Sequence, residues 1–274
     1  KGHLYALDCD QTAIDQSTTR LARVGSNFTC IHTPYEKLNE VLDAQGVGKV
    51  DGIIMDLGVS SPQFDDGTRG FSYRSDARLD MRMDQSQTLD AWTVVNTYSQ
   101  EELTRLLKQY GQEPFAYKIA ASIVSRRAEH TIDTTFELVD LIKSVLPQKV
   151  LNKKGHPAKR SFQAIRMEVN GELDQLQVAL EAGIHRLKPG GRLCVITFHS
   201  LEDRLVKNAF KAVATPKKVD RRLPATGIEV LEYRFINKKP IIASDEELAA
   251  NKRSHSAKLR GIERIRESAN EEKK

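Results

Sequence analysis

The chain has few cysteines and no long apolar run, and both absences narrow its class. Its three cysteines, Cys9, Cys30 and Cys194, match no metal motif, so we expect buried, reduced thiols. No other His, Cys or carboxylate cluster has ligand spacing either, and no metal site is predicted. No apolar stretch approaches the roughly 18 residues of a membrane span, and no charged-then-apolar signal segment is seen. We therefore expect a cytoplasmic protein.

The length and composition are those of an ordinary globular protein. The 274 residues, 39% hydrophobic and 29% charged, suffice for one large or two modest domains. Lys and Arg outnumber Asp and Glu by 42 to 37, a formal charge of +5. This excess permits a polyanionic partner without requiring one.

The hydrophobic pattern predicts an α/β fold that is interrupted by a helical block. Strands are predicted at residues 3–7, 28–31 and 50–55 with helices between them, an alternation typical of a parallel sheet. Residues 60–90 are rich in Gly, Ser, Asp and Arg and predict a long loop. Residues 99–147 predict helices only.

After the helical block the alternation resumes. Asn170 is predicted to cap a helix that the Lys188-Pro189-Gly190-Gly191 string ends. The remaining predicted elements are a strand at 192–198, a helix at 201–214, and two closing strands at 232–242 and 257–265.

Acidic residues follow two of the predicted strands. Asp56 opens the string DLGVSSPQ after the third strand, at a position where open α/β sheets bind ligands. Asp8 follows the first strand. In nucleotide-binding sheets such an acid typically accepts hydrogen bonds from the ribose hydroxyls of an adenosine-type cofactor. Asp8 or Asp10 would serve equally well as the N-cap of the next helix, so both roles stay open for Asp8.

Five strings carry a resemblance to one family. They are DLGVSSPQ at 56–63, RGFS at 69–72, LDMRMD at 79–84, HPA with FQAIR at 156–166, and FHSLEDR at 198–204. From about Gly2 to Ile265 the chain resembles the S-adenosylmethionine-dependent ribosomal RNA small subunit methyltransferase H family. That family methylates N4 of a cytidine in small-subunit (16S) ribosomal RNA.

The resemblance implies a class I methyltransferase fold, with a Rossmann-like sheet and an inserted all-helical domain. The methyltransferase domain would be split between residues 1–66 and 169–265, with a long loop and RNA-substrate insert at 67–168 and a polar tail at 266–274. The family opens with a strand and a Gly-Gly-His loop that holds the methionine end of the cofactor. Lys1-Gly2-His3 is not that loop, so we expect this amino-terminal segment to be missing from the sequence, and cofactor binding and activity to depend on it.

The resemblance also implies the cofactor, its contacts and the partner. S-adenosylmethionine would be contacted by Asp8 at the ribose, by Tyr35 beside the adenine, where the family more often has Phe, and by Asp56 and Gln63. The partner would be small-subunit ribosomal RNA or the assembled small subunit. Whether the chain forms a homodimer is left open.

Methyl transfer to an amine requires orientation and a partly dry site more than a strong base. Asp56, Ser60 and Ser61 are placed to accept hydrogen bonds from the cytosine amine, although both serines would equally cap the turn. His199 would either face the target base or bond within its own loop. No Gly-x-Ser-x-Gly elbow surrounds Ser200, which argues against a hydrolase.

A basic cluster follows the predicted helical block. Its members are Lys153, Lys154, His156, Lys159, Arg160 and Arg166, and Phe162 lies among them. Such a cluster would bind RNA phosphates and stack an unpaired base on Phe162, or else form a solvated basic face above a buried Phe162. The alternating Arg and Asp residues of the long loop predict internal ion pairs, with a role in RNA binding left open for Arg78 and Arg82.

Two other functions remain as alternatives. A non-catalytic RNA-binding or ribosome-assembly protein would need the basic cluster but no cofactor site. A methylase of a small molecule or a protein amine would keep the cofactor site but bind its substrate with little salt dependence.

Overall fold

A computed structural model describes residues 2–216 and 231–267. The strands are β1 (Leu4–Asp8), β2 (Phe28–His32), β3 (Val50–Asp56), β4 (Leu187–Thr197), β5 (Tyr233–Phe235), β6 (Ile241–Ile242) and β7 (Lys258–Arg264). The helices are α1 (Gln11–Ala22), α2 (Leu38–Ala44), α3 (Ser61–Asp65), α4 (Ala91–Thr97), α5 (Gln100–Gln109), α6 (Ala116–Glu129), α7 (Thr135–Val145), α8 (Gln148–Leu151), α9 (Lys159–Asn170), α10 (Glu172–His185), α11 (Ser200–Ala214) and α12 (Asp245–Ala250). Short 3₁₀ helices lie at Tyr35–Lys37, Gly67–Arg69 and Lys252–Ser256.

The chain divides into two compact units. The first comprises Lys1–His32 and Val59–Glu172, and the second Thr33–Gly58 and Leu173–Lys274. These boundaries differ from the predicted ones, because the first strand pair falls in the unit that contains the helical block. The assignment of cofactor and RNA-substrate domains remains a prediction.

The first unit combines a parallel strand pair with a helical core. β1 and β2 run parallel with Leu4 opposite Phe28, and α1 connects them, as the alternation predicts. The core is formed by apolar faces of α4 to α9, such as Leu103, Leu106 and Leu107 of α5, all fully buried. Ser99 and Thr134 form the capping boxes that fix the starts of α5 and α7.

Arginines hold the long loop of the first unit, as the sequence predicts. Arg82 binds the Asp80 carboxylate through Nε at 2.9 Å and Nη2 at 2.7 Å, and Arg78 Nη2 lies 2.8 Å from Asp90 Oδ2. Asn170 also holds this loop, donating to the Met81 carbonyl and accepting from the Met83 N–H. The predicted N-cap role of Asn170 is therefore wrong, because it is the last residue of α9 and the left-handed Gly171 follows it.

The second unit contains a mixed sheet of order β3-β4-β7-β5, with β6 also paired to β7. β3 and β4 are parallel, whereas β7 is antiparallel to β4, β5 and β6. The single strand predicted at 232–242 is two short strands instead. The predicted break at Lys188–Gly191 lies inside β4, where the pairing with β3 shifts register between Val50 and Gly52.

Close packing of α10 on the sheet defines the core of the second unit. A Cβ atom at Gly183 would lie 3.2 Å from Met55 Cε, so a larger residue there would force the Met55 side chain to shift by a few tenths of an ångström. The two cores confirm an α/β protein with many helices. No helix of the described residues is both long enough and apolar enough to span a membrane.

Candidate functional site

Asp8 and Asp10 of the first unit have different tasks. Asp10 is the N-cap of α1, since its Oδ1 accepts from the Thr12 N–H at 2.9 Å. Asp8 Oδ1 accepts the Asp10 N–H at 2.8 Å, and the Cys9 N–H is a further donor to this carboxylate, but no side chain of the described ranges donates to it. Displacement of water by nearby protein atoms raises the pKa of Asp8. Because Asp10 makes the cap, Asp8 is available for a ligand.

Behind Asp8, Asp10 joins a buried polar network. Its Oδ2 accepts from Gln63 Nε2 at 2.8 Å and from Arg69 Nη1 at 3.1 Å, with the Arg69 and Asp10 side chains only 8% and 7% exposed. Burial opposes ionisation of Asp10, but the hydrogen bond from Gln63 and the charge of Arg69 outweigh it and lower its pKa. Arg69 Nη2 also donates to the carbonyls of Arg82 and Met83. The network thereby ties the strand end to the long loop.

Sequence reasoning did not link Arg69 to Asp10. The two residues are 59 positions apart, and no local periodicity relates them. The RGFS string drew attention to Arg69 only through the resemblance, without indicating its partner. A buried pair between distant loops is a product of tertiary folding, which a single sequence does not encode locally.

Gln63 and Ser60 form a capping box at the start of α3. Ser60 Oγ accepts the Gln63 N–H, and Gln63 Oε1 accepts the Ser60 N–H at 3.0 Å. Gln63 is buried, with both ends of its amide engaged. The geometry favours the capping role for Ser60, whereas Ser61 is exposed on the first turn. A cofactor contact by Gln63 stays a prediction.

Asp56 is the last residue of β3 in the second unit. Its carboxylate has no hydrogen-bond partner in the part of the chain that the structure describes. Loss of water around the carboxyl and then the charge of Glu202 raise the pKa of Asp56. Gly58, at φ 87°, makes the turn that follows, a conformation that favours glycine.

His199 lies after β4 in the same unit and caps α11. Its Nδ1 accepts the Glu202 N–H at 3.4 Å, while Glu202 Oε2 accepts the N–H groups of Phe198 and His199. His199 Nε2 lies 3.1 Å from Glu202 Oε1, although it is not aligned for a hydrogen bond. The His199 side chain is only 12% exposed. This arrangement favours bonding within the loop over contact with a target base.

Glu202 is a site residue that sequence reasoning missed. Its side chain is 3% exposed, and its charge is one cause of the raised Asp56 pKa. The signal was present in FHSLEDR, where an acid stands three residues after a capping position. Histidine at that position concealed the pattern, because Ser, Thr, Asp and Asn are the usual caps.

Tyr35 also belongs to the second unit. It opens the 3₁₀ helix Tyr35–Lys37 and is partly buried against the core of that unit. Its place beside the adenine stays a prediction.

The structure keeps only part of the predicted basic cluster accessible. Lys153, Lys154, Lys159 and Arg160 are exposed. Phe162 is 3% exposed and packs in the helical core, so the alternative of a buried Phe162 agrees with the structure and base stacking on it does not. Arg166 binds Glu172 at 2.7 and 2.8 Å through Nε and Nη2, and this pairing occupies the guanidinium that was predicted to bind phosphate.

Comparison with known proteins identifies the family. A sequence model of the MraW methylase family matches residues 1–265. The chain belongs to the MraW methylase family. The resemblance drawn from the five strings is confirmed, and the protein is a methylase.

Three relatives of the methylase carry the name Ribosomal RNA small subunit methyltransferase H. The Oenococcus oeni protein is 50% identical over 266 residues, covering 96% of this chain and 85% of the relative. The Exiguobacterium sibiricum protein is 51% identical over 268 residues, covering 97% and 86%. The protein from Lactobacillus delbrueckii subsp. bulgaricus is 50% identical over 272 residues, covering 97% and 86%.

Proposed function

We propose that this methylase transfers a methyl group from S-adenosylmethionine to N4 of a cytidine in small-subunit (16S) ribosomal RNA, in the cytoplasm. One observation carries the proposal. The relatives of that name are about half identical to the chain over nearly its whole length. The alternative of a non-catalytic RNA-binding or ribosome-assembly protein is not favoured by this relationship.

The residues present fit S-adenosylmethionine. Asp8 is exposed and accepts no side-chain hydrogen bond in the described ranges, so its carboxylate can accept bonds from ribose hydroxyls. In the second unit, Tyr35 supplies the aromatic ring for the adenine and Asp56 a further acceptor. Gln63 would bind the cofactor through its second amide N–H, because its first amide N–H donates to Asp10.

The bound cofactor would supply an electrophilic methyl group on a sulfonium. The protein must then hold the cytosine amine in line with that methyl, and we assign this task to Asp56. As an acceptor for one N4–H bond, its carboxylate would direct the nitrogen lone pair and receive the proton that leaves after transfer. The raised pKa makes Asp56 a stronger proton acceptor than an ordinary aspartate. Ser61 is a weaker candidate for the same contact.

The activity is tested with the chain extended at its amino terminus by the strand and Gly-Gly-His loop on which we expect activity to depend. It is incubated with methyl-labelled cofactor and with small ribosomal subunits that lack this methyl group. Nucleosides from the digested RNA are then separated and identified by mass spectrometry. We expect label in N4-methylcytidine, and label in another nucleoside or none in RNA would contradict the proposal.

The cofactor site is tested separately by calorimetry, which does not depend on turnover. Asp8→Asn should weaken S-adenosylmethionine binding at least about tenfold, because charge-assisted bonds to two hydroxyls are lost. The matched control is Asp15→Asn on α1, whose carboxylate binds only the nearby Gln11 amide among the residues that the structure describes. Equal affinity of Asp8→Asn and the control would remove Asp8 from the site.

A further inference from the structure

An aromatic stack joins two basic segments of the first unit. The rings of Tyr73 and His156 are 4.2 Å apart at an interplanar angle of 9°, and Phe162 packs edge-on against Tyr73 at 5.7 Å. Tyr73 belongs to the long loop, whereas His156 lies between α8 and α9. Because Phe162 is anchored in the helical core, the stack fixes the long loop beside the chain that carries the exposed lysines.

This junction concentrates positive charge. Arg74 follows Tyr73, is exposed, and has no carboxylate partner in the described ranges, in contrast to Arg69, Arg78 and Arg82 of the same loop, which are paired with acids. Lys153, Lys154 and Lys159, close to His156 in the chain, are likewise exposed without an acid partner in those ranges. A loop that pairs its other arginines leaves Arg74 available for an external anion.

Lys143 of α7 adds a further cation. Burial, and then the charges of Lys143 and Arg74, lower the pKa of His156, so both cations act electrostatically on its ring. The nearby acids compensate the charge of these cations only weakly. Asp140 lies 3.6 Å from Lys143 with both side chains exposed, and Asp76 accepts the Phe136 N–H. His156 Nδ1 accepts the Ala158 N–H, so the neutral ring keeps its proton on Nε2 as a donor.

We propose that Arg74, Lys143, Lys153, Lys154 and Lys159, arranged about the Tyr73–His156 stack, form the surface that binds the phosphates of a single-stranded segment of the RNA substrate. We call it the Tyr73 surface. The inference rests on the proposed function for the identity of the polyanion. It leaves out Arg160, Phe162 and Arg166 of the predicted cluster and adds Arg74 and Lys143. Arg160 is omitted because its guanidinium donates to the Gln112 carbonyl.

A single-stranded partner fits both the chemistry and the reaction. Methylation of N4 requires an unpaired cytosine, because that amine is hydrogen-bonded in a duplex. Flexible lysines and an arginine follow an irregular backbone without reading its sequence, and aromatic rings between them are typical of single-strand sites. We therefore expect affinity that depends on salt and little on sequence.

The test measures binding of a fluorescently labelled, single-stranded RNA oligonucleotide by anisotropy over a series of salt concentrations. Arg74→Ala/Lys143→Ala should reduce the salt slope by about 0.7 for each lost contact and weaken binding about fivefold per contact at 0.1 M salt. The charge-matched control is Lys207→Ala/Lys211→Ala, two exposed lysines of α11 in the second unit. Thermal unfolding of both variants checks that they are folded.

A second measurement follows the His156 ring by NMR. Phosphates bound at the Tyr73 surface should raise the His156 pKa, since they offset the nearby cations. An unchanged salt slope in Arg74→Ala/Lys143→Ala, or an equal loss in the control, would overturn the surface and leave the methylation proposal intact. If the wild-type chain shows no salt-dependent binding of the oligonucleotide, the Tyr73 surface is likewise overturned, and the labelling of assembled subunits alone decides the methylation proposal.

Discussion

Two acids lie near strand ends, Asp10 in the first unit and Asp56 in the second, and their surroundings shift their pKa values in opposite directions. Asp10 is buried, but it accepts hydrogen bonds from Thr12, Gln63 and Arg69, and its pKa is lowered. Asp56 has no hydrogen-bond partner in the described residues, and loss of water around its carboxyl, followed by the charge of Glu202, raises its pKa.

The difference distinguishes an acid that stabilises the fold from an acid that can contact the substrate. A carboxylate whose lone pairs are filled by the protein cannot accept bonds from a substrate, so Asp10 stabilises the loop and the strand end. A carboxylate that the fold leaves uncompensated costs stability, and such groups concentrate at functional sites. The comparison therefore favours Asp56 over Asp10, Ser60 and His199 for direct contact with the amine.

The largest effect should come from breaking the Asp10 network. Arg69→Met removes the cation and leaves Asp10 buried with less compensation, which should cost about 3–5 kcal/mol of unfolding free energy. Urea denaturation followed by circular dichroism measures it.

Arg78→Met is the matched control, because this arginine also pairs with acids but its side chain is 57% exposed. We expect a cost below about 1 kcal/mol there. Similar costs for the two variants would mean that the Asp10–Arg69 pair is no more important than a surface ion pair.

The next effect concerns activity at Asp56. Asp56→Ala should lower methyl transfer about a hundredfold, within the usual range for a positioned acceptor, while the protein stays folded. Single-turnover assays on small ribosomal subunits measure the rate. Asp51→Ala, on the same strand but with a side chain 88% exposed and bound only to Lys188, should transfer at the wild-type rate. Unchanged turnover of Asp56→Ala would exclude Asp56 from the reaction.

The sequence predicted the elements better than their connections. Periodicity located β1 to β3 and the later part of β4, because burial of one face imposes a local repeat, and capping boxes located the starts of α5 and α7. The strand predicted at 232–242 failed because its two halves pair separately with β7, a partner that comes later in the chain. Asn170 was misassigned for a similar reason, since its amide binds a loop almost ninety residues away.

The candidate site shows the same limit. The resemblance and the strand-end rule found Asp8 and Asp56, because both depend on local sequence. Glu202, Arg69 and the exposure of Arg74 depend on which side chains the fold brings together. Burial decided the cases of Phe162 and Arg166, whose residue types alone were compatible with RNA binding or with the core.

The smallest effect should be a gain in stability. Asp56→Asn removes the repulsion from Glu202 and should raise the unfolding free energy at pH 7 by less than about 1 kcal/mol. Because the folded-state pKa of Asp56 is raised, the wild-type group becomes protonated in the native state before the unfolded one as the pH falls. The advantage of Asp56→Asn should therefore fade as the pH falls through that raised pKa.

Asp10→Asn should behave in the opposite sense. The folded-state pKa of Asp10 is lowered, so its stabilisation is complete above the unfolded-state pKa and is lost only as the pH falls through the lower folded value. Urea titrations from pH 7 down to the unfolded-state aspartate pKa of about 3.9 should show a constant deficit for Asp10→Asn beside a gain for Asp56→Asn that shrinks at the lower end. Parallel pH profiles for the two variants would mean that the fold treats both acids alike, and the argument that Asp56 is reserved for chemistry would lose its electrostatic basis.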